Sequence, residues 1–309
     1  MEKWLLIVNP SSASATTGSS WKESEKILKD AGLEVDVAPT EYAGHAITLV
    51  QESADQGYRN FISVGGDGTL HEVMSGLVRY ADSRGVDLGD FTVAVLPYGT
   101  GNDWIRTPGV PQDMLEAAKC IIAGKTAKED VVRVSMKEGV FCMANIGGVG
   151  VDSTICYKTN ALKKKGYKGS LLYSLVAPFC IFTRKRRPVE IVCDGESVYK
   201  GKIFTTIFGN GLYRGGGLHQ TADGATLDDG LLEVSIQGAV NHIKGMMQQL
   251  HFFKGDFATL PGIISKQFRK MTISPLGKDA DWVEIDGELP GRLPVTIELT
   301  GQQINIIVP

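Results

Sequence analysis

The run Ser63-Val64-Gly65-Gly66-Asp67-Gly68-Thr69-Leu70-His71-Glu72 constrains the fold more than any other part of the chain. It lies between a short apolar run and a helix-length stretch. Glycines there let the backbone turn sharply from strand to helix and approach a ligand closely, while the first N–H groups of a helix lack partners within it and are open to an anion. A plain tight turn accounts for one or two of the glycines but not for Asp67 among them. The pattern reads as a phosphate cradle with a carboxylate inside it. The G-x-x-x-x-G-K-[ST] spacing is absent, which excludes the P-loop class of nucleotide site.

A second glycine-rich stretch, Leu96-Pro97-Tyr98-Gly99-Thr100-Gly101-Asn102-Asp103, follows another apolar run, and Asn9-Pro10-Ser11-Ser12 follows a third. Ligands of open α/β sheets bind at the carboxyl ends of the strands, so three such loops on one edge make a site. The surrounding pattern agrees. Strand-like runs Leu5–Val8, Val35–Ala38, Phe61–Val64 and Phe91–Leu96 alternate with amphipathic stretches Trp21–Ala31, His45–Gln56, Leu70–Tyr80 and Asp113–Gly124. That alternation predicts a parallel sheet with crossover helices.

Beyond about residue 130 the texture changes to β-type segments with frequent glycine and charged turns: Val131–Met136, Val140–Ile146, Val189–Cys193, Lys202–Phe208, Leu231–Ile236 and Lys270–Ser274. These predict an antiparallel sandwich or barrel-like second domain. A chain of 309 residues suits two domains with a cleft between them. The closing run Val295–Val308 is free to pair with either. The change of texture near residue 130 marks the expected boundary.

The apolar share of 43%, the charged share of 22% and the lack of a long apolar run are those of a soluble globular protein, expected in the cytoplasm. The first apolar run stops at Asn9-Pro10, too short for the core of a secretory signal. Cys120, Cys142, Cys156, Cys180 and Cys193 are scattered without C-x-x-C spacing, so they read as reduced thiols. The histidines are dispersed as well, which leaves zinc without support; a metal here is expected to be a hard cation held by carboxylates.

Gly65-Gly66-Asp67-Gly68-Thr69 followed by Pro97-x-Gly99-Thr100-x-Asn102-Asp103 resembles the diacylglycerol kinase catalytic family, which includes bacterial soluble lipid kinases and the sphingosine and ceramide kinases. Further matches are Gly148-Val149-Gly150-Val151-Asp152, the stretch from Ala222 through Asp229-Gly230-x-Leu232, and Asp286-Gly287-Glu288. The resemblance implies an ATP-binding α/β domain of residues 1–129 with a C-terminal segment, 293–309, returning to it, a β-sandwich domain of residues 130–292 that takes the lipid substrate, and an active site between the two. It implies ATP and Mg²⁺ as cofactors and phosphoryl transfer to a lipid hydroxyl, with diacylglycerol or a related lipid as acceptor. Asn9 and Ser11 would lie beside the ATP phosphates, Gly65, Gly66, Gly68 and Thr69 would wrap them, and Glu72, Thr100 and Asn102 would help hold the nucleotide.

Two aspartates compete for the general base, Asp67 and Asp286, with Asp286 preferred and Glu288 as a partner for Mg²⁺ or the nucleotide. Asp229 resembles a structural-magnesium aspartate whose shell is completed by the carbonyls of Thr226 and Leu231. Two departures stand out. The usual N-P-x-S-G loop is here Asn9-Pro10-Ser11-Ser12-Ala13, without its glycine, and a proline usual near the later acidic motif is replaced around Gln220-Thr221.

Between Lys163 and Arg187 eight basic residues form two clusters, Lys163-Lys164-Lys165-x-x-Lys168 and Arg184-Lys185-Arg186-Arg187, around the apolar stretch Leu171–Phe182. Exposed cations are attracted to an anionic leaflet, so this segment reads either as a peripheral membrane docking face at the inner membrane or as a core helix with solvated ends. The net charge of −3 argues against nucleic acid as a partner. A homodimer stays open. Rival functions are an NAD kinase-like enzyme, whose usual Asn-Glu pair is not evident here, and a non-catalytic lipid or nucleotide binder of the same fold.

Overall fold

The computed structural model describes residues 3–12, 21–99, 101–165, 171–219 and 226–309. In chain order the first part runs β1 (Lys3–Val8), α1 (Trp21–Asp30), β2 (Glu34–Pro39), α2 (His45–Asp55), β3 (Asn60–Gly65), α3 (Asp67–Arg84), β4 (Thr92–Pro97) and α4 (Met114–Ala123). Strands β2, β1, β3 and β4 lie side by side, all parallel. The chain goes from β1 to one neighbour, β2, and then returns to the other, β3. The crevice at the carboxyl ends of β1 and β3 is therefore the switch point where ligands of such sheets bind.

Helices on both faces bury the sheet, so these strands are apolar along their length rather than alternating. Leu6, Ile7, Phe61, Ile62 and Val93 are fully buried; each side chain of this size contributes about 1.5–3 kcal/mol when removed from water. Helix α4 has the sequence punctuation that makes helices legible. Asp113 caps its start by accepting from the amides of Leu115 and Glu116, and Gly124 closes its end in the left-handed region with φ 68°.

The second part comprises β5 (Thr126–Met136), β6 (Gly139–Met143), β7 (Ile146–Gly150), α5 (Val151–Lys164), α6 (Leu171–Thr183), β8 (Pro188–Cys193), β9 (Glu196–Gly209), β10 (Tyr213–Arg214), β11 (Leu218–His219), β12 (Leu232–Gly238), α7 (His242–Gln249), β13 (Ile263–Phe268), β14 (Lys270–Pro275), β15 (Trp282–Ile285), β16 (Glu288–Arg292) and β17 (Val295–Ile307). Its pairings are antiparallel, and a second core forms around Val134, Phe208, Val234, Phe268, Ile273 and Ile285.

Strand β17 joins the two parts. Its first half, Val295–Glu298, pairs antiparallel with β14; its second half pairs parallel with β4 at Asn305 and Ile306. Along its whole length β5 runs antiparallel beside it. The closing run thus returns to the first sheet while still belonging to the second.

Three elements depart from the sequence reading. The run Val140–Ile146 is two strands, because Ala144 and Asn145 break the ladder and turn their amides onto Asp286. The segments of α5 and α7 carried no helical expectation. Helix α5 follows Gly150, whose φ of 113° and close approach to the Phe204 carbonyl only glycine accommodates; helix α7 is short and shows most of its apolar residues to solvent, which hides it from a search for a buried stripe.

Where β5 meets the first part, Glu129 is almost wholly buried and accepts from Trp104 Nε1 with both oxygens, at 3.1 and 3.2 Å. Burial pushes its carboxyl up to about 8 from 4.5; the Trp104 hydrogen bond opposes this, and the charges of Asp286 and Asp130 add to it. A raised folded-state value means the contribution of Glu129 to stability is full below pH 4.5 and is lost as pH rises through about 8. Glu129→Gln keeps an acceptor for Trp104 without ionising. The variant should therefore gain stability relative to the parent as pH is raised from acid to above 8, read as a narrowing or reversal of the difference in Tm.

Candidate active site

Strand β3 ends at Gly65, and the chain enters α3 through Gly66 in an extended conformation. The glycines are required by what touches them. A Cβ on Gly65 would lie 2.1 Å from Thr69 Oγ1, and one on Gly99 would lie 2.5 Å from the Cα of Gly66. The two glycine loops meet backbone to backbone, and the amide of Tyr98 donates to the carbonyl of Gly65 at 2.8 Å.

Asp67 locks this contact. Its Oδ2 accepts from the amide of Asp103 and its Oδ1 from that of Trp104, each at 3.0 Å. Burial pushes the carboxyl up to about 6 from 3.8, although both amides favour its ionised form; the charges of Asp103 and Asp286 push in the same direction as burial. Both oxygens thus cap the short 3-10 turn Trp104–Arg106.

Asn9, at the end of β1, donates to Thr69 Oγ1 at 3.3 Å and accepts from the amide of Ser11 through Oδ1. Ser11 is exposed beside it. Asn102 sits in the left-handed region at φ 50° and holds both the amide and the carbonyl of Gly99 with its side chain. Thr100 lies outside the described residues. Asp103 turns the other way, accepting from the amides of Gly216 and Gly217 in the second part. One loop therefore ties the cradle to both halves of the molecule.

From the opposite side comes the hairpin β15–β16, whose two-residue tip is Asp286-Gly287 with φ of 51° and 85°. Asp-Gly with both φ positive is the turn that matches the twist of paired strands. The Asp286 side chain is buried. Its Oδ2 accepts from the amide of Ala144 at 2.9 Å and lies 3.1 Å from His71 Nδ1, while Oδ1 accepts from the amide of Asn145 at 2.9 Å. Glu288 lies against the start of α3, such that a Cβ on Gly68 would be 3.3 Å from its Oε1.

His71 is the residue that sequence reasoning overlooked, although it stands inside the glycine motif. Burial alone pushes its imidazole down, but the hydrogen bond and charge of Asp286, aided by Glu288 and Glu72, outweigh this and raise it. The cationic form is thereby favoured beside Asp286. Below the hairpin, Glu284 accepts from the amide of Gly287 at 2.7 Å and Arg214 pairs with Asp152 at 2.8 Å. Burial pushes Glu284 up to about 7 in spite of the nearby Arg214 charge and the Gly287 amide.

Other expected positions lie elsewhere. Glu72 is turned onto the amides of Gly44 and Ala46 at the start of α2, at 2.8 and 3.2 Å, so both its oxygens serve that helix and the nucleotide role given to it is withdrawn. Asp229 is exposed, and its Oδ1 accepts from the amide of Leu231; Thr226 precedes it in an exposed turn. A carboxylate and backbone carbonyls are oxygen donors of the kind that a hard cation takes. Among the described residues no cluster of three or more His, Cys, Asp or Glu side chains could hold a metal. Ala13, Lys168, Gln220, Thr221 and Ala222 lie outside the described residues, as do the side chains of Lys163 and Lys164.

The second basic cluster is largely internal. Arg184 is buried and pairs with Asp281, as does Arg187, and the Arg186 guanidinium lies 5.9 Å from the Phe204 ring centre, leaving Lys185 as the exposed member. The space between Gly66, Asp67, Asn102 and Trp104 is closed and admits not even a water molecule, so a nucleotide base does not fit inside it.

Comparison with known proteins finds likenesses to both parts of the chain. Residues 3–134 match the diacylglycerol kinase catalytic domain and residues 146–308 match the YegS C-terminal NAD kinase beta sandwich-like domain. A Klebsiella pneumoniae protein named "Probable lipid kinase YegS-like" is 32% identical over 75% of this chain and 73% of its own length. A Bacillus subtilis protein named diacylglycerol kinase is 27% identical over 100% of this chain and 97% of its own. The crystal structure of a diacylglycerol kinase from Bacillus anthracis superposes over 100% of this chain and 97% of that one with a TM-score of 0.69 at 24% identity, a likeness of fold.

Asp67→Asn tests the clamp. An amide side chain has one acceptor oxygen where the carboxylate has two, so one of the Asp103 and Trp104 amides is left facing a donor. Leaving a buried donor unpaired costs about 1–3 kcal/mol, and a urea titration should find the variant less stable by that amount.

Proposed function

The chain belongs to the diacylglycerol kinase catalytic-domain family, the lipid kinases, and from that premise we propose that it transfers the γ-phosphate of ATP to the hydroxyl of diacylglycerol or a closely related lipid. The observation that carries this reading is the position of Asp286. A buried carboxylate held by two amides and a histidine faces the start of α3, where the glycine loop presents amides to an anion. Phosphoryl transfer asks a protein chiefly for positioning and for neutralisation of charge. The loop amides and the amino end of α3 supply both without a lysine.

On this reading the triphosphate lies along the outer edge of the loops after β1, β3 and β4. Asn9 and Thr69 shape the cradle, and Asn102 keeps the Gly99 turn in register. Asp286 accepts the proton of the acceptor hydroxyl, and His71 keeps its carboxylate oriented and its charge compensated. Asp67 and Asp286 each have both oxygens on backbone amides, and it is the neighbouring His71 that favours Asp286 as the base. Bound Mg²⁺ would neutralise phosphate charge; Glu288 is placed to hold it near the cradle, and Asp229 with the carbonyls of Thr226 and Leu231 would hold a second, structural ion. The lobes divide near residues 129 and 293, and the sandwich lobe takes the lipid.

The purified chain, given labelled ATP, Mg²⁺ and a panel of diacylglycerol, sphingoid base, ceramide, phosphatidylglycerol and NAD, should label a lipid and leave NAD unlabelled. Labelled NAD would replace this reading by the NAD kinase one, and no product at all would favour a non-catalytic binder.

Removing a general base typically costs about 10²–10⁴-fold in rate, so Asp286→Asn, checked for folding by circular dichroism, should lose kcat in that range. Activity near that of the parent would move the role to Asp67.

A further inference from the structure

Helix α7 packs Met246 inward, against the cluster of Val151, Ile181 and Phe204, but turns its other apolar residues outward. Its buried positions are Gly245, against the Phe204 ring, and Gln248, which accepts from Gln237 at 2.7 Å, while Ile243, Met247 and Leu250 point to solvent at i, i+4 and i+7. Beside it α6 buries Val176, Cys180 and Ile181 but also shows Leu175, Phe179 and Phe182 to solvent, and Phe253 just beyond α7 is 75% exposed. A surface helix normally keeps its outer side polar. Two adjacent helices with apolar outer sides make a continuous apolar face, of the kind that marks an interaction site.

The face is fixed rather than loose. His242 Nδ1 lies 2.8 Å from the Ile181 carbonyl, and the Phe182 and His242 rings are 5.9 Å apart. Between the helices runs an open groove of about 680 Å³ lined by Phe182, His242, Ile243, Lys244, Met247 and neighbouring residues.

Charge decides what covers it. Neither 171–187 nor 239–255 contains an acidic residue, in a chain whose net charge is −3. The exposed cations Lys185, Lys244 and Lys254 border the face, and Lys158 lies over the Phe179 ring at 4.0 Å. A second copy meeting this face about a two-fold axis would bring the same cations against one another. Apolar side chains rimmed by cations instead suit an anionic lipid surface, where the former enter the acyl boundary and the latter meet the headgroups.

Position supports the same partner. Helix α5 packs on α6 and also reaches the hairpin tip, with Cys156 Sγ 3.0 Å and Asn160 Nδ2 3.4 Å from the Gly287 carbonyl. The apolar face is thus one helix away from the turn that carries Asp286.

We propose that the outward faces of α6 and α7 are the membrane-docking surface, in which Leu175, Phe179, Phe182, Ile243, Met247 and Phe253 enter an anionic leaflet. The identity of the surface rests on the lipid-kinase reading; the existence of the face does not. It differs from a docking site built on Arg184–Arg187, because Arg184 and Arg187 are engaged by Asp281.

The test is co-sedimentation of the full chain with vesicles of phosphatidylcholine, with and without phosphatidylglycerol. The parent should bind the anionic vesicles. Ile243→Asp/Met247→Asp should weaken that binding about tenfold or more, and Lys244→Glu/Lys254→Glu should weaken it to a similar degree at low salt and less at high salt. Both variants alter exposed side chains only and should phosphorylate a water-soluble short-chain diacylglycerol like the parent. Unchanged vesicle binding in both variants would overturn the inference. So would light scattering that finds a dimer which Ile243→Asp/Met247→Asp dissociates, since a second copy would then be the occupant. A parent that binds anionic vesicles through this face yet phosphorylates no acceptor would sink the kinase reading and leave the docking face in place.

Discussion

The contact between Gly66 and Gly99 is the constraint on which the rest of the site depends. Two loops from neighbouring strands approach so closely that a side chain on Gly99 would strike the Gly66 backbone, and Asp67 holds them there through the amides of Asp103 and Trp104. From that crossing the other parts take their places. Trp104 reaches Glu129 on β5, Asp103 takes the amides of Gly216 and Gly217, and the start of α3 is left facing the hairpin that carries Asp286. The aspartate of the glycine motif thus fixes, within the first lobe, the loop whose Asp103 reaches the second. Its carboxylate is raised by burial while two amides favour its charge, which is the balance expected of a group whose work is to hold backbone.

Asp286 occupies the complementary position with opposite consequences. It sits in a left-handed turn, which an aspartate tolerates better than most residues, and its carboxylate interrupts β6 and β7 by drawing in the amides of Ala144 and Asn145. Those two donors fix where the carboxylate points. His71 approaches from α3, in the first lobe, so the proposed base is held jointly by both halves of the molecule. Any relative movement of the lobes changes the His71–Asp286 distance directly.

Much of this was legible because the relevant residues carry local signals. Glycine runs, the Asn9-Pro10 loop and the Asp-Gly turn each mark backbone geometry that few other residues supply, and the apolar runs of the parallel strands are buried on both faces. What was not legible depends on partners distant in sequence. Nothing local distinguishes Glu72, which caps α2, from a ligand-facing carboxylate in the same motif. Arg184 reads as a surface cation until Asp281, far along the chain, is brought against it. The break in Val140–Ile146 exists only because Asp286 arrives there, and α7 lacks a buried apolar stripe because Gly245 and Gln248 are its buried positions. Pattern reading assumes that apolar residues point inward; it fails where function needs them to point out.

Strand β17 explains why two lobes with separate cores can share one site. A bulge between Leu299 and Gln303 lets its halves pair with β14 and with β4 while β5 follows both. The same pair of strands therefore runs through both sheets as a continuous hydrogen-bonded ribbon. A flexible linker would leave the distance from the glycine loops to the hairpin tip to chance, whereas a ribbon of this kind transmits it through backbone geometry. The short contacts across the cleft, Asp103 to the Gly216 loop and His71 to Asp286, can then be satisfied together, because neither has to draw the lobes into place by itself.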